Sequence, residues 1–342
     1  MAKIVVIGSA NMDTTHYLKG DFPDECTQES LNEIERTARV LGGKGANQAR
    51  AAKLQSKADK VYFIGCVGKD ESGLSILEEF RNVKVNFSGI NLLENTSTDG
   101  RIIYVNKNGD NKMMGYGDCV KQLKPDVIDL DILTNADIVA IQMKMPPETC
   151  RFVIDYCQKH NKPLIIDPTP PEKATILAEN DGELLRKATY FTPNEEEAFA
   201  LIKFLEGKTS MKEINEEFKQ TPKDVRLKMI EKLVERFPNV VATIGGDGVI
   251  YNNGKVIRRA TYPTICRDST GAGDTFNGAF IASLARGENI DKAVEFGLMA
   301  SSIKVQYRGA QNGVPTYEET LKAIEKAQKT VNAKDKDERN DR

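Results

Sequence analysis

Along most of the chain, short apolar runs alternate with longer stretches whose apolar residues recur every three or four positions. Residues 3–9, 61–67, 138–142, 164–167, 190–192 and 240–244 are apolar and largely β-branched, the pattern of strands buried on both faces. Residues 45–54, 72–81, 148–159, 195–205 and 225–237 carry helical spacing, and 275–286 reads as an amphipathic helix. Strand–helix alternation of this kind predicts right-handed crossovers and an α/β fold. Its mostly parallel central sheet is flanked by helices on both faces. Ligands in such folds bind beyond the carboxyl ends of the strands.

Two segments, residues 11–40 and 98–116, hold no convincing helix. In the second, runs 101–106 and 112–116 flank Asn108-Gly109, a strong hairpin signal. Together they are expected to build a small β-sheet lid on one large domain of residues 1–330. A surface hairpin with no catalytic role is the competing reading. Residues 206–222 are polar and expected as an exposed insertion, and the charged tail 331–342 is expected to be disordered.

The chain has 342 residues, 40% hydrophobic and 29% charged, with a net charge of −2. That balance gives no reason to expect nucleic acid or an anionic membrane as partner. No apolar run approaches the ~20 residues that span a bilayer. The first strand-like run starts at Ile4, so no leader is expected and the cytoplasm is the expected compartment. Six cysteines are scattered without a C-x-x-C pair, which reads as buried or idle thiols in a reducing environment. Two histidines in polar surroundings argue against histidine catalysis or a histidine metal site.

The most specific chemistry lies in Asp268-Ser269-Thr270-Gly271-Ala272-Gly273-Asp274, ahead of the helical run. Small residues there let main-chain amides converge at a helix start, where the unpaired N–H groups and the helix dipole favour an anion. A carboxylate in the same place, Asp274, suits a phosphate that is only in transit and a hydroxyl that must lose its proton. Asn11-Met12-Asp13 follows the first strand, where Asn and Asp either bind hydroxyls or form a turn. Gly42-Gly43-Lys44-Gly45-Ala46-Asn47 permits close ligand approach or simply a tight turn; its spacing is not that of a P-loop. Asn194 and Glu197 either cap a helix or hold the waters of a Mg²⁺ ion. Thr243-Ile244-Gly245-Gly246-Asp247-Gly248 ends another strand and is either a plain loop or a nucleotide contact.

In this order, the motifs resemble the ribokinase family of carbohydrate kinases, the PfkB-type sugar kinases, over roughly residues 3–319. The most diagnostic stretches are Gly42-Gly43-Lys44-Gly45-Ala46-Asn47-Gln48-Ala49 and residues 268–278. Arg308-Gly309-Ala310-Gln311 and Val314-Pro315 draw the resemblance toward members that act on ribose. The resemblance implies a ribokinase-like fold and ATP-dependent phosphorylation of D-ribose to D-ribose 5-phosphate. It implies Asp274 as general base, with the amides of Gly271, Ala272, Gly273 and Asp274 as anion hole. It implies sugar contacts at Asn11, Asp13, Gly43, Lys44 and Asn47. Asn194, Thr243, Gly245, Gly246, Asp247, Gly248 and Gly273 are implied as ATP contacts, with Asn194 and Glu197 serving Mg²⁺. A potassium ion is implied beside Asp268, Thr270, Lys304, Tyr307, Gly309 and Gly313, mostly through carbonyls. Pairing of lid sheets implies a homodimer. Lys144 stands where the family usually has a sugar-binding glutamate, Gly115-Tyr116-Gly117-Asp118 replaces a glycine-alanine-asparagine turn, and Leu298 replaces an adenine-side histidine.

Two other functions compete. Lys144 and the Met113, Met114 and Tyr116 lid face suit a kinase acting on a nucleoside or another sugar such as deoxyribose, fructose or adenosine. A catalytically silent sugar- or nucleotide-binding regulator is the other.

Overall fold

Strand β1 (Lys3–Ile7) is the axis of the molecule, and Ile4, Val5, Val6 and Ile7 are all fully buried. Its side chains alternate between two cores. Val5 and Ile7 join the core on one face of the sheet, and Ile4 and Val6 the core on the other. The computed structural model describes residues 1–23, 33–57 and 59–340. Part of the expected lid segment and Cys26 lie outside the described residues.

Beside β1 lie β4 (Lys60–Gly68), β5 (Asn86–Leu93), β8 (Ile138–Gln142), β9 (Leu164–Asp167) and β10 (Tyr190–Phe191), in the order β10-β9-β8-β1-β4-β5. All pairings are parallel. The chain moves outward from β1 in both directions, so the crevice at a switch point opens beyond the carboxyl ends of β1 and β8. A second sheet is formed by β2 (Asn11–Leu18), β3 (Ile34–Gly42), β6 (Gly100–Val105) and β7 (Asn111–Tyr116), ordered β3-β2-β6-β7. The hairpin read from Asn108-Gly109 is present as antiparallel β6–β7.

Helices α1 (Lys44–Leu54), α2 (Glu71–Asn82), α3 (Leu130–Thr134), α4 (Pro147–Lys159), α5 (Thr175–Arg186), α6 (Glu195–Leu205), α7 (Met211–Gln220) and α8 (Lys223–Arg236) come next in chain order. They are followed by α9 (Ala272–Ala285), α10 (Ile290–Lys304) and α11 (Tyr317–Asn340). Three elements differ from the sequence reading. Helix α9 is not amphipathic: every residue from Asp274 to Ser283 is buried, because α1 and α10 pack against it. Residues 240–244 do not simply extend the parallel sheet. β11 (Val241–Thr243) joins β12 (Val249–Asn252) and β13 (Val256–Arg259) antiparallel, and only single bridges, Phe191–Val240 and Asn194–Thr243, link it to the main sheet. The Asn253-Gly254 turn between β12 and β13 was the available signal. Within 206–222 the polar insertion folds as α7, because Ile214 is buried and Phe218 packs edge-on to Phe199. Helical backbone runs from Tyr317 to Asn340 in α11.

Both histidines serve packing, His16 against Tyr104 and His160 against Tyr156. Among the described cysteines, Cys66, Cys119, Cys150 and Cys157 are buried free thiols and Cys266 is an exposed one. No helix among the described residues is long and apolar enough to cross a membrane.

Candidate active site

Helix α9 starts from Gly271, whose φ of 78° lies in the left-handed region and whose missing Cβ would sit 2.4 Å from the Ala310 carbonyl oxygen. Only glycine fits both constraints. Among the described residues no side chain caps this end. The Ala272 amide donates to the Ser269 carbonyl at 3.0 Å, whereas the amides of Gly271, Gly273 and Asp274 have no acceptor among the described residues. Three open amides at the positive end of a helix are able to receive an anion.

Asp274 lies in the first turn and is 6% exposed. Burial raises its pKa from 3.8 to about 6, aided by Asp167 and opposed by Lys44 and by hydrogen bonds from Asn47 and Gln48. Asn47 Nδ2 donates to Asp274 Oδ2 at 2.8 Å, and Gln48 Nε2 reaches Oδ1 at 3.3 Å. A buried carboxylate with a raised pKa, next to open amides, is equipped to take a proton from an alcohol.

A polar network that the sequence reading did not single out holds these groups. Gln48 Nε2 also donates to Asp167 Oδ2 at 2.6 Å, and Gln142 Nε2 donates to Gln48 Oε1 at 2.8 Å. Asn277 Nδ2 adds a second donor to Asp167, and Gln311 Nε2 orients Asn47 through its Oδ1 at 2.7 Å. Gln142 and Asp167 are the last residues of β8 and β9, and that position was the available signal. Lys44 Nζ lies 3.7 Å from Asp167 and 4.0 Å from Glu197. Burial alone would lower the Lys44 pKa, but the charges of Asp167, Asp274 and Glu197 hold it above the usual lysine range.

On the β2 side, the Oδ1 atoms of Asn11 and Asp13 are buried and have no hydrogen-bond partner among the described residues. Gly42 and Gly43 make room for them: a Cβ on Gly42 would meet Asp13 Oδ2 at 2.4 Å, and Gly43 holds φ at 86° against the Ser9 carbonyl. Burial raises the Asp13 pKa, with Arg101 and Lys144 opposing. Lys144 follows β8 at this same end, and burial together with Arg101 lowers its pKa while Asp99 and Asp13 raise it.

Lys44, Asn194, Thr243, Gly245, Gly246, Gly248 and Leu298 share one cavity of about 610 Å³ with Gly271, Ala272, Gly273 and Asp274. Asp247 does not line it and instead pairs with Lys223 at the surface. Asn194 and Glu197 form a capping box on α6: Asn194 Oδ1 accepts from Glu197 N–H, and Glu197 Oε2 from Asn194 N–H, both at 2.9 Å. Capping leaves Glu197 Oε1 facing Lys44. Burial, then Asp167, raises the Glu197 pKa to about 7 against the pull of Lys44. No group of three His, Cys, Asp or Glu side chains able to hold a metal occurs among the described residues.

Around Asp268 the loop is pinned from three directions. Thr270 N–H and Gly309 N–H donate to its carboxylate at 2.8 and 2.7 Å, and Lys304 Nζ donates to its main-chain carbonyl at 3.3 Å. The Lys304 carbonyl accepts from Tyr307 N–H, and Tyr307 packs against Gly313. Lys304 therefore enters this cluster as a buried ammonium as well as a carbonyl.

Comparison with known proteins agrees with this geometry. Residues 1–317 match the pfkB family of carbohydrate kinases. The ribokinase of Bacillus subtilis is 34% identical over 330 residues, covering 93% of this chain and 98% of its own length. A deoxyribokinase from Salmonella typhi is 27% identical over 320 residues, covering 92% and 96%. The structure of Arabidopsis thaliana ribokinase complexed with ribose and ATP superposes with a TM-score of 0.75 at 26% identity, covering 94% of this chain and 98% of that one. With these likenesses the reading as a silent regulator is set aside: the chain belongs to the pfkB family of carbohydrate kinases, and it is a ribokinase-like sugar phosphotransferase.

Proposed function

We propose that this kinase transfers the terminal phosphoryl group of ATP to the 5-hydroxyl of D-ribose, giving D-ribose 5-phosphate. The observation that carries the sugar end is the pair of buried, partnerless acceptors Asn11 Oδ1 and Asp13 Oδ1. Buried acceptors without donors cost free energy, and sugar hydroxyls would supply the missing donors. Asn47, bonded to Asp274, connects that end to the carboxylate. The presence of ribokinases among the relatives supports ribose as the acceptor.

In this reading Asp274 takes the proton of the 5-hydroxyl as its oxygen attacks the γ-phosphorus. The amides of Gly271, Gly273 and Asp274 hold the charge that develops on the phosphoryl oxygens. Lys44 balances the carboxylates of Asp167, Asp274 and Glu197 and would meet the transferring phosphate. Thr243, Gly245, Gly246 and Gly248 line the nucleotide, with Leu298 packing near the base. Mg²⁺ would be served by Glu197 Oε1, a hard oxygen that the capping box does not use and that faces Lys44, and a cation there would keep the group ionised. Bound there through water, the ion would neutralise phosphate charge. Potassium does not fit beside the Asp268 carbonyl while Lys304 Nζ holds it, and no step is assigned to it. The exposed Met113, Met114 and Tyr116 on β7 suit pairing of two small sheets in a homodimer, with each sheet closing as a lid over its sugar and excluding water.

A second reading rests on Lys144, a cation close enough to Asp13 to influence its ionisation. It favours another sugar or a nucleoside. Coupled ADP release with ribose, deoxyribose, fructose and adenosine, for wild type and Lys144→Ala, tests both. Ribose is expected to give the highest kcat/KM; a higher value with any other acceptor overturns the assignment.

A further inference from the structure

Helix α10 ends on Lys304, whose side chain is fully buried at 0% exposure. A buried ammonium brings a full charge and three N–H donors, which destabilise the fold unless oxygens meet them. Its partner is not a carboxylate but the main-chain carbonyl of Asp268, 3.3 Å from Nζ. The Asp268 carboxylate is already engaged by the Thr270 and Gly309 amides. A positive charge held by a carbonyl of a stapled loop is the arrangement of a monovalent-cation site, here with the cation attached to the chain. The loop leads directly through Thr270 to Gly271, where the open amides begin. Burial pulls the Lys304 pKa down, and the charges of Asp268, Cys266 and Asp274 pull against it in favour of the ammonium.

We propose that the Lys304 ammonium takes the place of the monovalent cation beside Asp268, so that this kinase orders its anion-binding turn without potassium. Lys304 is thus a positioning residue: it fixes the Asp268 carbonyl, and through residues 268–271 the amides that meet phosphate. The inference rests on reading those amides as the phosphate site, and one arm of its test needs no turnover.

The experiment compares wild type, Lys304→Ala and Lys304→Met in buffers whose only added salt is tetramethylammonium, potassium or ammonium chloride. Wild-type turnover should change by less than about twofold between salts, while Lys304→Ala should lose about tenfold or more in kcat without a matching rise in sugar KM. Potassium or ammonium should restore part of that loss. Lys304→Met keeps the space filled without charge, so it should stay folded by circular dichroism, lose kcat and gain nothing from potassium. Crystals soaked in rubidium chloride provide the independent arm, with anomalous signal next to the Asp268 carbonyl in Lys304→Ala and none in wild type. Potassium activation of wild type by severalfold, a rubidium ion at that carbonyl in wild type, or full kcat in Lys304→Met would overturn the proposal.

Discussion

Replacing Asp274 by Asn separates the two roles proposed for this carboxylate. Burial raises its pKa from 3.8 to about 6. That difference is worth ~3 kcal/mol at about 1.4 kcal/mol per pH unit. Because the folded-state pKa is raised, the stabilisation is complete below the unfolded value of 3.8 and is lost as pH rises through about 6. At neutral pH the ionised group therefore opposes folding of the free enzyme. Asn removes that opposition, keeps an acceptor for Asn47 Nδ2, and turns an NH₂ toward Gln48 Nε2, a donor–donor contact costing ~1 kcal/mol. A net gain of ~2 kcal/mol remains, which for a chain of this size raises Tm by about 3 °C at about pH 8 and much less at about pH 5. Turnover should fall by about 10²–10⁴, or ~3–5 kcal/mol of barrier, in a coupled ADP assay with saturating ribose and ATP. In the wild type, kcat/KM should drop below about pH 6 as the base is protonated. Unchanged kcat would refute the base assignment, and an equal Tm gain at both pH values would refute the buried-charge argument.

Two further substitutions probe neighbouring parts. Gly271→Ala places a Cβ 2.4 Å from the Ala310 carbonyl oxygen at positive φ, and should cost ~1–3 kcal/mol of stability by chemical denaturation together with most activity. Wild-type denaturation midpoints would show that the turn has another conformation available. Glu197→Gln keeps an acceptor for the Asn194 amide while removing the charge. It should raise the Mg²⁺ concentration needed for half-maximal rate by about tenfold and leave sugar KM unchanged. An unaltered Mg²⁺ dependence would assign Glu197 to capping alone.

The site was half legible before the fold was known. Asn47 and Asp274 sit in glycine-rich turns whose composition is itself a signal, because only small residues permit their backbone paths. Gln142 and Asp167 offered only their places at the ends of β8 and β9, and Gln48 only its place in the glycine-rich stretch, since a lone Gln or Asp fits any surface. They matter because α1, β8, β9 and α9 bring them together. For Asn194 and Glu197 the capping reading is the one observed, with one Glu197 oxygen capping α6 and the other facing Lys44.

What the chain determined by itself was local: strand and helix periods, the hairpin at Asn108-Gly109, and the two turns that must be glycine-lined. These follow from backbone sterics and from which face of an element is apolar, both set within a few residues. Tertiary structure alone decided that α9 is buried all round, that Gln48 bridges Asp167 and Asp274 across 119 and 226 residues, and that Lys304 ends on the Asp268 carbonyl 36 residues away. Contacts across such separations depend on how whole elements pack, and the energy that selects them comes from burial of surfaces no local window contains.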